Sequence, residues 1–242
     1  MTETTPTVGP GRPLAQKGMG GAIGRKIMSE YHKIETLYER DLATFKVKPG
    51  VFKNRTYSLL KSWRWTEKVD GTNIRVQWDP TQKFPESSKP ALTFGGKSDN
   101  AQIHADLIKW LYEHVSDAKL REIFPEQAAV IYGEGYGAGI QKGGGDYTPE
   151  KKLIVFDVLV DGKWWLAHED VCDVASKLGL DVVPDFGEMT LEEATELVRK
   201  GFKSRCAVNA GKDAEGLVGR PLEALFDKKG ARLIVKLKTK DF

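Results

Sequence analysis

The chain reads Glu-Lys-Val-Asp-Gly-Thr-Asn at residues 67–73, and this stretch carries the most specific signal for the fold. Two strand-like runs, 63–69 and 73–79, flank its Asp-Gly pair, and apolar and polar residues alternate in the second run. An Asp-Gly pair between two such runs predicts a β-hairpin. Lys68 would then stand beside Glu67 just before the turn, where an amine can be held against an electrophile.

The composition of the chain is that of a globular protein. Its 242 residues are 40% hydrophobic and 29% charged, enough for a substantial core. The net charge of +3, from 37 basic and 34 acidic residues, is too small to indicate nucleic-acid binding by itself, although a local basic patch remains compatible with it. No apolar run approaches the roughly 20 residues that span a bilayer. Cys172 and Cys206 have no metal or redox spacing, which favours a reduced, cytoplasmic chain.

Short apolar runs and helical spacings alternate along the rest of the chain. Residues 1–24 are rich in Thr, Pro and Gly and predict a flexible N-terminal tail, which leaves 25–242 as the domain. Further strands are predicted at 92–94, 128–134, 153–160, 164–166, 216–220 and 232–238. Helices are predicted over 103–114, over a segment ending at Gly179, and from a Thr190–Glu193 capping box to Gly201. Many strands with few helices indicate an α+β layered domain.

Six short segments carry charged and aromatic residues in a recognisable order. Residues 68–71 read Lys-Val-Asp-Gly, and the others lie at 95–102, 132–135, 155–158, 215–218 and 235–238. Together they resemble the motifs of the ATP-dependent RNA ligases, within the covalent nucleotidyltransferase superfamily of RNA ligases, DNA ligases and mRNA capping enzymes. Glu67 and Asn73 favour RNA ligases, because DNA ligases usually carry Arg at the position of Asn73. Lys97 departs from the family, which normally has Arg there, and Lys lacks the forked donor geometry of Arg.

The resemblance implies a fold and a reaction. The fold would be an α+β, antiparallel-sheet nucleotidyltransferase domain (ATP-grasp-like) with flanking helices. No appended C-terminal domain is expected, because the last motif ends four residues before Phe242. Lys68 would attack the α-phosphate of ATP, forming lysyl-AMP and releasing pyrophosphate. AMP would then pass to a 5′-phosphate end, from which a 3′-hydroxyl displaces it, with Mg²⁺ or Mn²⁺ in each step.

Two lysines near the C-terminus fit the needs of a lysine nucleophile. Such a nucleophile must be neutral, yet its reference pKa is about 10.4, so holding it neutral near pH 7 requires roughly 4–5 kcal/mol. Nearby cations and desolvation act in that direction. Lys236 and Lys238 are two apart on a predicted strand and therefore share a face, where they can also hold the triphosphate.

The resemblance also implies contacts for the other motif residues. It implies adenine stacking for Phe156, ribose contact for Glu134, metal binding for Glu215, adenine or backbone contact for Glu67, and phosphate or nucleic-acid contact for Asn73 and Lys97. Mg²⁺ suits one or two carboxylates together with phosphate oxygens and water. RNA ends or a nicked duplex would be the partners of a monomeric enzyme, and Lys17, Arg25 and Lys26 could add phosphate contacts.

Other interpretations of the same residues remain open. Lys68 taken alone is an ordinary lysine near a turn, Phe156 suits a core, and Lys236 and Lys238 suit a solvated edge strand. A minimal DNA ligase that seals nicks is the nearest alternative function. A nucleic-acid-binding relic that lost catalysis is a second, although the intact lysine and glutamate set argues against it. A guanylyltransferase is a third, disfavoured because no barrel domain follows.

Overall fold

The computed structural model of the chain describes residues 30–82, 90–228 and 230–242. The tail predicted for residues 1–24 lies outside this part, as do Lys17, Arg25 and Lys26. Among the described residues, no helix is long and apolar enough to cross a membrane.

Strands dominate the described part of the chain, where thirteen of them form three sheets. In chain order they are β1 (Glu35–Thr36), β2 (Tyr38–Arg40), β3 (Val47–Phe52), β4 (Trp63–Glu67), β5 (Thr72–Trp78), β6 (Leu92–Gly95), β7 (Ala129–Tyr136), β8 (Lys152–Val160), β9 (Trp164–Trp165), β10 (Asp181–Val182), β11 (Asp185–Met189), β12 (Gly216–Pro221) and β13 (Val235–Lys238). All but two of the strand pairings are antiparallel; β1–β13 and β10–β8 are parallel.

Four α-helices join these strands in the described ranges: α1 (Ala105–His114), α2 (Asp117–Ile123), α3 (His168–Leu178) and α4 (Leu191–Lys200). The predicted helix ends are confirmed. Gly179 follows α3 in the left-handed region with φ 77°, which glycine adopts without steric cost. Thr190 and Glu193 exchange the two hydrogen bonds of a capping box at the start of α4. The α+β architecture with mainly antiparallel sheets is therefore confirmed.

The two large sheets each have their own core. The first has the strand order β1-β13-β12-β4-β11 and buries Trp63 and Trp65 beneath α4. The second has the order β10-β8-β7-β5-β6, with β9 beside β8, and buries Ile74, Val76 and Trp78 with α1, α2 and α3. The sheet order places β4 and β5, although adjacent in sequence, in different cores.

The predicted β-hairpin at the Asp-Gly pair is wrong. Both strands exist, but β4 pairs with β12 and β11, whereas β5 pairs with β6 and β7. Residues 68–71 therefore carry the chain from one sheet to the other. At Gly71 the chain passes close to the backbone of β7. A Cβ at this position would lie 2.2 Å from the carbonyl oxygen of Gly135, so the close approach requires glycine. The two strands complete separate cores and do not pair with each other, so the Asp-Gly pair does not close a hairpin turn.

The strands and helices predicted downstream of residue 90 are confirmed with small shifts at their ends. Sequence patterns missed β1, β2 and β3, which precede the 67–73 segment, and they also missed α2, β10 and β11. The polar face predicted for β5 is covered as well, since Arg75 and Gln77 are both buried. Strand β5 is thus a central strand enclosed on both faces.

Gly71→Ala should destabilise the crossover between the sheets. The added methyl group would collide with the Gly135 carbonyl and with Glu134 Cγ at 2.9 Å, so the backbone must shift. We expect the free energy of unfolding in urea to fall by about 1–3 kcal/mol. Gly145→Ala is the matched control, because its nearest contact would be an ordinary 3.6 Å to Ala138, and it should stay within about 0.5 kcal/mol of wild type. Equal stability of the two variants would contradict this account.

Candidate active site

Lys68 lies just past the end of β4, where the chain leaves the first sheet. Its backbone N–H donates to the carbonyl of Gly216 at 2.9 Å, which extends the β4–β12 pairing by one residue. Its side chain is half-buried, and Nζ donates to Glu215 Oε2 at 2.5 Å. The side chain is thus fixed at the junction of the sheets, as a positioned nucleophile requires.

Glu215 binds two lysines at once. Its second oxygen, Oε1, lies 2.6 Å from Nζ of Lys238 on β13. Burial pushes the pKa of Glu215 upward, but the positive charges of Lys68 and Lys238 outweigh that effect and hold this pKa below its ordinary value. The carboxylate therefore stays ionised between the two ammonium groups.

Lys236 lies on the same face of β13 as Lys238, as predicted, while Val235 and Leu237 are buried on the other face. Lys236 is half-buried, and within the described part of the chain no carboxylate forms an ion pair with it. Burial, followed by the charges of Lys238 and Lys68, lowers the pKa of Lys236. Three lysines thus lie close together at this point, and two of them, Lys68 and Lys238, share the carboxylate of Glu215.

A cleft between the two sheets opens beside Lys68. Its volume, including space that is open to solvent, is roughly 470 Å³. Five of the predicted site residues line it: Glu67, Lys68, Asn73, Glu134 and Phe156. The two sheets contribute residues to the same cavity, because the chain crosses from one to the other at Lys68.

Phe156 is half-buried on the wall of this cleft and does not belong to the main core of its sheet. Tyr31 meets it edge-on at a ring-centroid distance of 5.1 Å. Val218 of β12 also lines the cleft. The arrangement leaves an aromatic face and an aliphatic side chain available to a flat, apolar ligand ring.

Glu134 and Asn73 face each other across the β5–β7 pairing. Burial, opposed by Lys68 and reinforced by the negative charges of Glu215 and Asp70, raises the pKa of Glu134 to about 7. The buried Oδ1 of Asn73 accepts no hydrogen bond from any described residue. Both groups can therefore bind the polar atoms of a ligand in the cleft.

Glu67 is almost fully buried, and its carboxylate holds a neighbouring loop. It accepts hydrogen bonds from Ser204 Oγ at 2.5 Å and from the backbone N–H of Arg205 at 2.8 Å. The carboxylate thus contacts the backbone of a loop distant in sequence, and the predicted contact with adenine stays a prediction. It lines the cleft while fixing the 204–206 loop beside it.

Lys97 lies apart from these residues. It is exposed in the loop after β6 and does not line the cleft. Arg75 holds that loop: its buried guanidinium donates to the Gly96 carbonyl at 2.8 Å and to Asp99 at 3.0 Å. The sequence placed Arg75 on a polar strand face, where nothing distinguished it from a solvated side chain.

A buried charged cluster, two of whose members line the cleft, was not predicted from the sequence. Asp157 accepts a hydrogen bond from the hydroxyl of Tyr31 at 2.7 Å and from Arg232 at 2.6 Å, and it lies 3.6 Å from Arg220. The sequence contains part of the signal for this cluster. Asp157 lies inside the apolar run 153–160, and a buried carboxylate needs a cation beside it. Tyr31 precedes every motif, so no local pattern pointed to it.

The described residues contain no cluster of three or more His, Cys, Asp or Glu side chains of the kind that holds a metal ion. Glu215 and Glu134 interact electrostatically across the cleft. This donor set fits an ion that takes one or two carboxylates and completes its shell with phosphate oxygens and water. It does not form an all-protein metal cage.

Solved structures with the same fold are RNA ligases from Naegleria gruberi. A ligand-free mutant matches with a TM-score of 0.57 and 17% identity, covering 86% of this chain and 59% of that one. A mutant with ATP and Mn matches with a TM-score of 0.56 and 17% identity, covering 87% and 63%. A mutant with AMP and Mn matches with a TM-score of 0.57 and 16% identity, covering 86% and 60%. The chain spans about three-fifths of the length of these structures.

The sequence model described as RNA ligase matches residues 61–238, and the chain belongs to the RNA ligase family. The matched region begins before Lys68 and ends at Lys238, so it includes both lysines bound to Glu215. No curated protein sequence matches the chain significantly.

Glu134 should make the stability of the chain depend on pH. Its pKa is about 7 in the folded chain against an ordinary value of 4.5, so the folded state holds an extra proton between these values. The free energy of unfolding must then fall as pH rises from about 4.5 to about 7 and level off above. Glu134→Gln removes the ionisable group and should be more stable than wild type at pH 8 by about 2–4 kcal/mol, with little gain at pH 4.5.

Urea unfolding at pH 4.5, 6 and 8 measures this difference. Glu126→Gln removes an exposed carboxylate of the same type and should leave the pH profile of wild type unchanged. Parallel pH profiles for wild type and Glu134→Gln would show that Glu134 titrates normally.

Proposed function

We propose that the chain is an ATP-dependent RNA ligase that joins 5′-phosphate and 3′-hydroxyl ends through a lysyl-AMP intermediate. The observation that carries this proposal is the position of Lys68. Its amine is held by Glu215 beside Lys238, at the mouth of a cleft that Phe156 lines. Family membership and the shared fold with RNA ligases solved with ATP or AMP support the same reaction.

In the first step, Nζ of Lys68 forms a bond with the α-phosphorus of ATP, and pyrophosphate leaves with the electron pair of the broken P–O bond. Lys68 must first lose its ammonium proton to solvent to act as a nucleophile, and Glu215, which accepts its hydrogen bond, holds the amine in place. Lys236 and Lys238 supply positive charge beside the negative charge that develops on the phosphate. These roles of the three lysines and Glu215 require only the contacts described above for the candidate active site.

The cleft then holds AMP for the later steps. Phe156 stacks on adenine, and Glu134 and Asn73 offer acceptor atoms to the ribose or to the nucleic-acid end. AMP passes to the 5′-phosphate of one strand, and the 3′-hydroxyl of the other displaces it, which forms the phosphodiester bond. A divalent cation, Mg²⁺ or Mn²⁺, would neutralise phosphate charge, with Glu215 as its ligand from this chain.

The lysyl-AMP step is tested by incubating the protein with α-labelled ATP and Mg²⁺ and detecting label on the denatured protein. Wild type should become labelled, and Lys68→Ala should lose the label entirely because it lacks the attacking amine. Lys61→Ala is the control, an exposed lysine seven residues earlier, and should label as wild type does. An unlabelled wild type, or a labelled Lys68→Ala, would contradict the proposed mechanism. It would favour a protein that kept the fold and lost catalysis.

The same preparation separates RNA from DNA as the substrate. Parallel reactions measure the sealing of three substrates with 5′-phosphate and 3′-hydroxyl ends: nicked RNA, nicked DNA and single-stranded RNA. Preferential sealing of the RNA substrates supports the proposal, whereas preferential sealing of nicked DNA would assign the chain to DNA repair.

Phe156→Ala should weaken nucleotide binding without removing the nucleophile. Stacking of a base on an aromatic side chain is worth roughly 1–3 kcal/mol, so the ATP concentration for half-maximal labelling should rise about 5- to 150-fold. Phe156→Tyr retains the ring and should stay close to wild type. Unfolding curves of both variants check the fold, and an unchanged ATP dependence in a folded Phe156→Ala would exclude adenine stacking on this ring.

A further inference from the structure

One loop outside the cleft holds the crossover segment, residues 68–71. The amide N–H of Asp70 donates a hydrogen bond to the hydroxyl of Tyr147 at 3.3 Å. The carbonyl of Gly71 accepts a hydrogen bond from Nε2 of Gln141 at 2.9 Å. Both partners lie in the same loop, between β7 and β8. The backbone that directly follows the reacting lysine is therefore bound by two side chains of one loop.

Val69, the residue next to Lys68, is buried in a small apolar cluster together with Tyr147. The cluster also contains Val183 and Tyr136, and the Tyr136 ring meets the Tyr147 ring edge-on at a centroid distance of 5.9 Å. Val69 lines the cleft as well, so the cluster borders on the nucleotide site. The crossover segment is thus fixed by packing and by hydrogen bonds on the same tyrosine.

A second loop, residues 203–212, holds Tyr147 in place. The amine of Lys212 lies 4.4 Å from the centroid of the Tyr147 ring and donates to the carbonyl of Gly143 at 3.1 Å. The backbone N–H of Val208 donates to the Tyr147 carbonyl at 3.0 Å. An ammonium group over an aromatic face is attracted by about 0.5–2 kcal/mol. The second loop therefore binds both the ring and the backbone of this tyrosine.

The second loop also binds the residue before Lys68. The carboxylate of Glu67 accepts the hydrogen bonds of Ser204 and Arg205 described above. Lys68 therefore lies between two anchored residues, Glu67 and Asp70. The second loop holds the first of them directly and the other through the tyrosine.

Tyr147 is placed to act on the reaction only through the backbone. It does not line the cleft, so it is not a ligand of the nucleotide. Burial raises the pKa of Tyr147, which keeps its hydroxyl protonated and uncharged beside the Asp70 amide. Reactions between positioned groups are sensitive to placement, and an error of about 1 Å can slow them by roughly 100-fold. A contact that fixes the backbone two residues after Lys68 can therefore control the rate of attack.

We propose that Tyr147, supported by Lys212, is a positioning residue for the nucleophile. Its hydroxyl holds the Asp70 amide and so keeps the Lys68 amine placed for attack on the α-phosphorus. The inference rests on the proposed function, because it assigns Lys68 the bond to phosphorus. In the last step of ligation the nucleophile is a 3′-hydroxyl, so that step does not depend on the attack by Lys68.

Tyr147→Phe tests the role of the hydroxyl, because the ring stays beneath Lys212 while the bond to Asp70 is lost. Labelling of the protein by α-labelled ATP is followed over time in a single turnover. The rate at saturating ATP should fall by about 5- to 10-fold, the loss of one hydrogen bond. The ATP concentration for half-maximal rate should stay as in wild type. Sealing of pre-adenylylated RNA should keep its wild-type rate.

Tyr136→Phe is the matched control, since it makes the same chemical change in the neighbouring ring and leaves the Asp70 contact intact. It should label as wild type does. Lys212→Met removes the ammonium group above Tyr147 and should slow labelling by roughly 2- to 5-fold, again at unchanged half-saturation. Urea unfolding of all three variants checks the fold.

Three results would overturn the proposal. The first is an unchanged labelling rate in a folded Tyr147→Phe. The second is a rise in the ATP concentration for half-maximal rate, which would place the effect in the nucleotide site. The third is slower sealing of pre-adenylylated RNA, which would show general damage to the fold.

Hydrogen exchange separates the positioning role from the ligase function. The Asp70 amide, followed by NMR in protein without nucleotide, should exchange about 5- to 10-fold faster in Tyr147→Phe than in wild type and Tyr136→Phe. Unchanged exchange would mean that the hydroxyl does not hold the segment, and the proposal would be wrong. If exchange accelerates but wild type forms no adduct with ATP, the ligase function fails and the hold of Tyr147 on the segment stands.

Discussion

The carboxylate of Glu215 lies between two half-buried ammonium groups, and much of the site depends on that arrangement. One oxygen meets Lys68 at the end of β4 and the other meets Lys238 on β13. Glu215 itself directly precedes β12, the strand between those two in the sheet. Removing one member of a buried charged group typically costs about 3–5 kcal/mol, because the remaining charges lose their partner. The same contact therefore stabilises the strand order and fixes the amine.

The crossover at residues 68–71 explains how a cleft forms at all. If β4 and β5 were a hairpin, Lys68 would lie on the rim of a single sheet. Because they belong to separate cores, the lysine stands where the two sheets approach, opposite Glu134 and Phe156 of the second sheet. The buried Asp157 binds Tyr31 and Arg232 and so joins the N-terminal segment to the second sheet. Tyr31 and Arg220 belong to this charged cluster and also line the cleft, so the cleft and the contact between the sheets share residues.

Local patterns predicted much of the candidate site because strand periodicity fixes which side chains share a face. The alternation at 235–238 correctly puts Lys236 and Lys238 together above buried Val235 and Leu237. The motif order likewise anticipated that Lys68, Glu134 and Phe156 lie around one cavity. Periodicity cannot tell whether a polar face meets solvent or another layer, so it missed the burial of Arg75. Lys97 belongs to one of the motifs, but it does not line the cleft. The loop that carries it is held by Arg75, which donates a hydrogen bond to the carbonyl of Gly96.

The sequence by itself determined the chemical groups, their spacing, the end of α3 and both ends of α4, since capping boxes and glycine C-caps act over a few residues. Only the tertiary structure decided that β4 and β5 belong to different sheets, that Glu215 binds both Lys68 and Lys238, and that β1 pairs with β13. These are contacts between residues far apart in the chain. Any strand edge can offer the same backbone hydrogen bonds, and the choice of partner is made by which apolar faces close a core together.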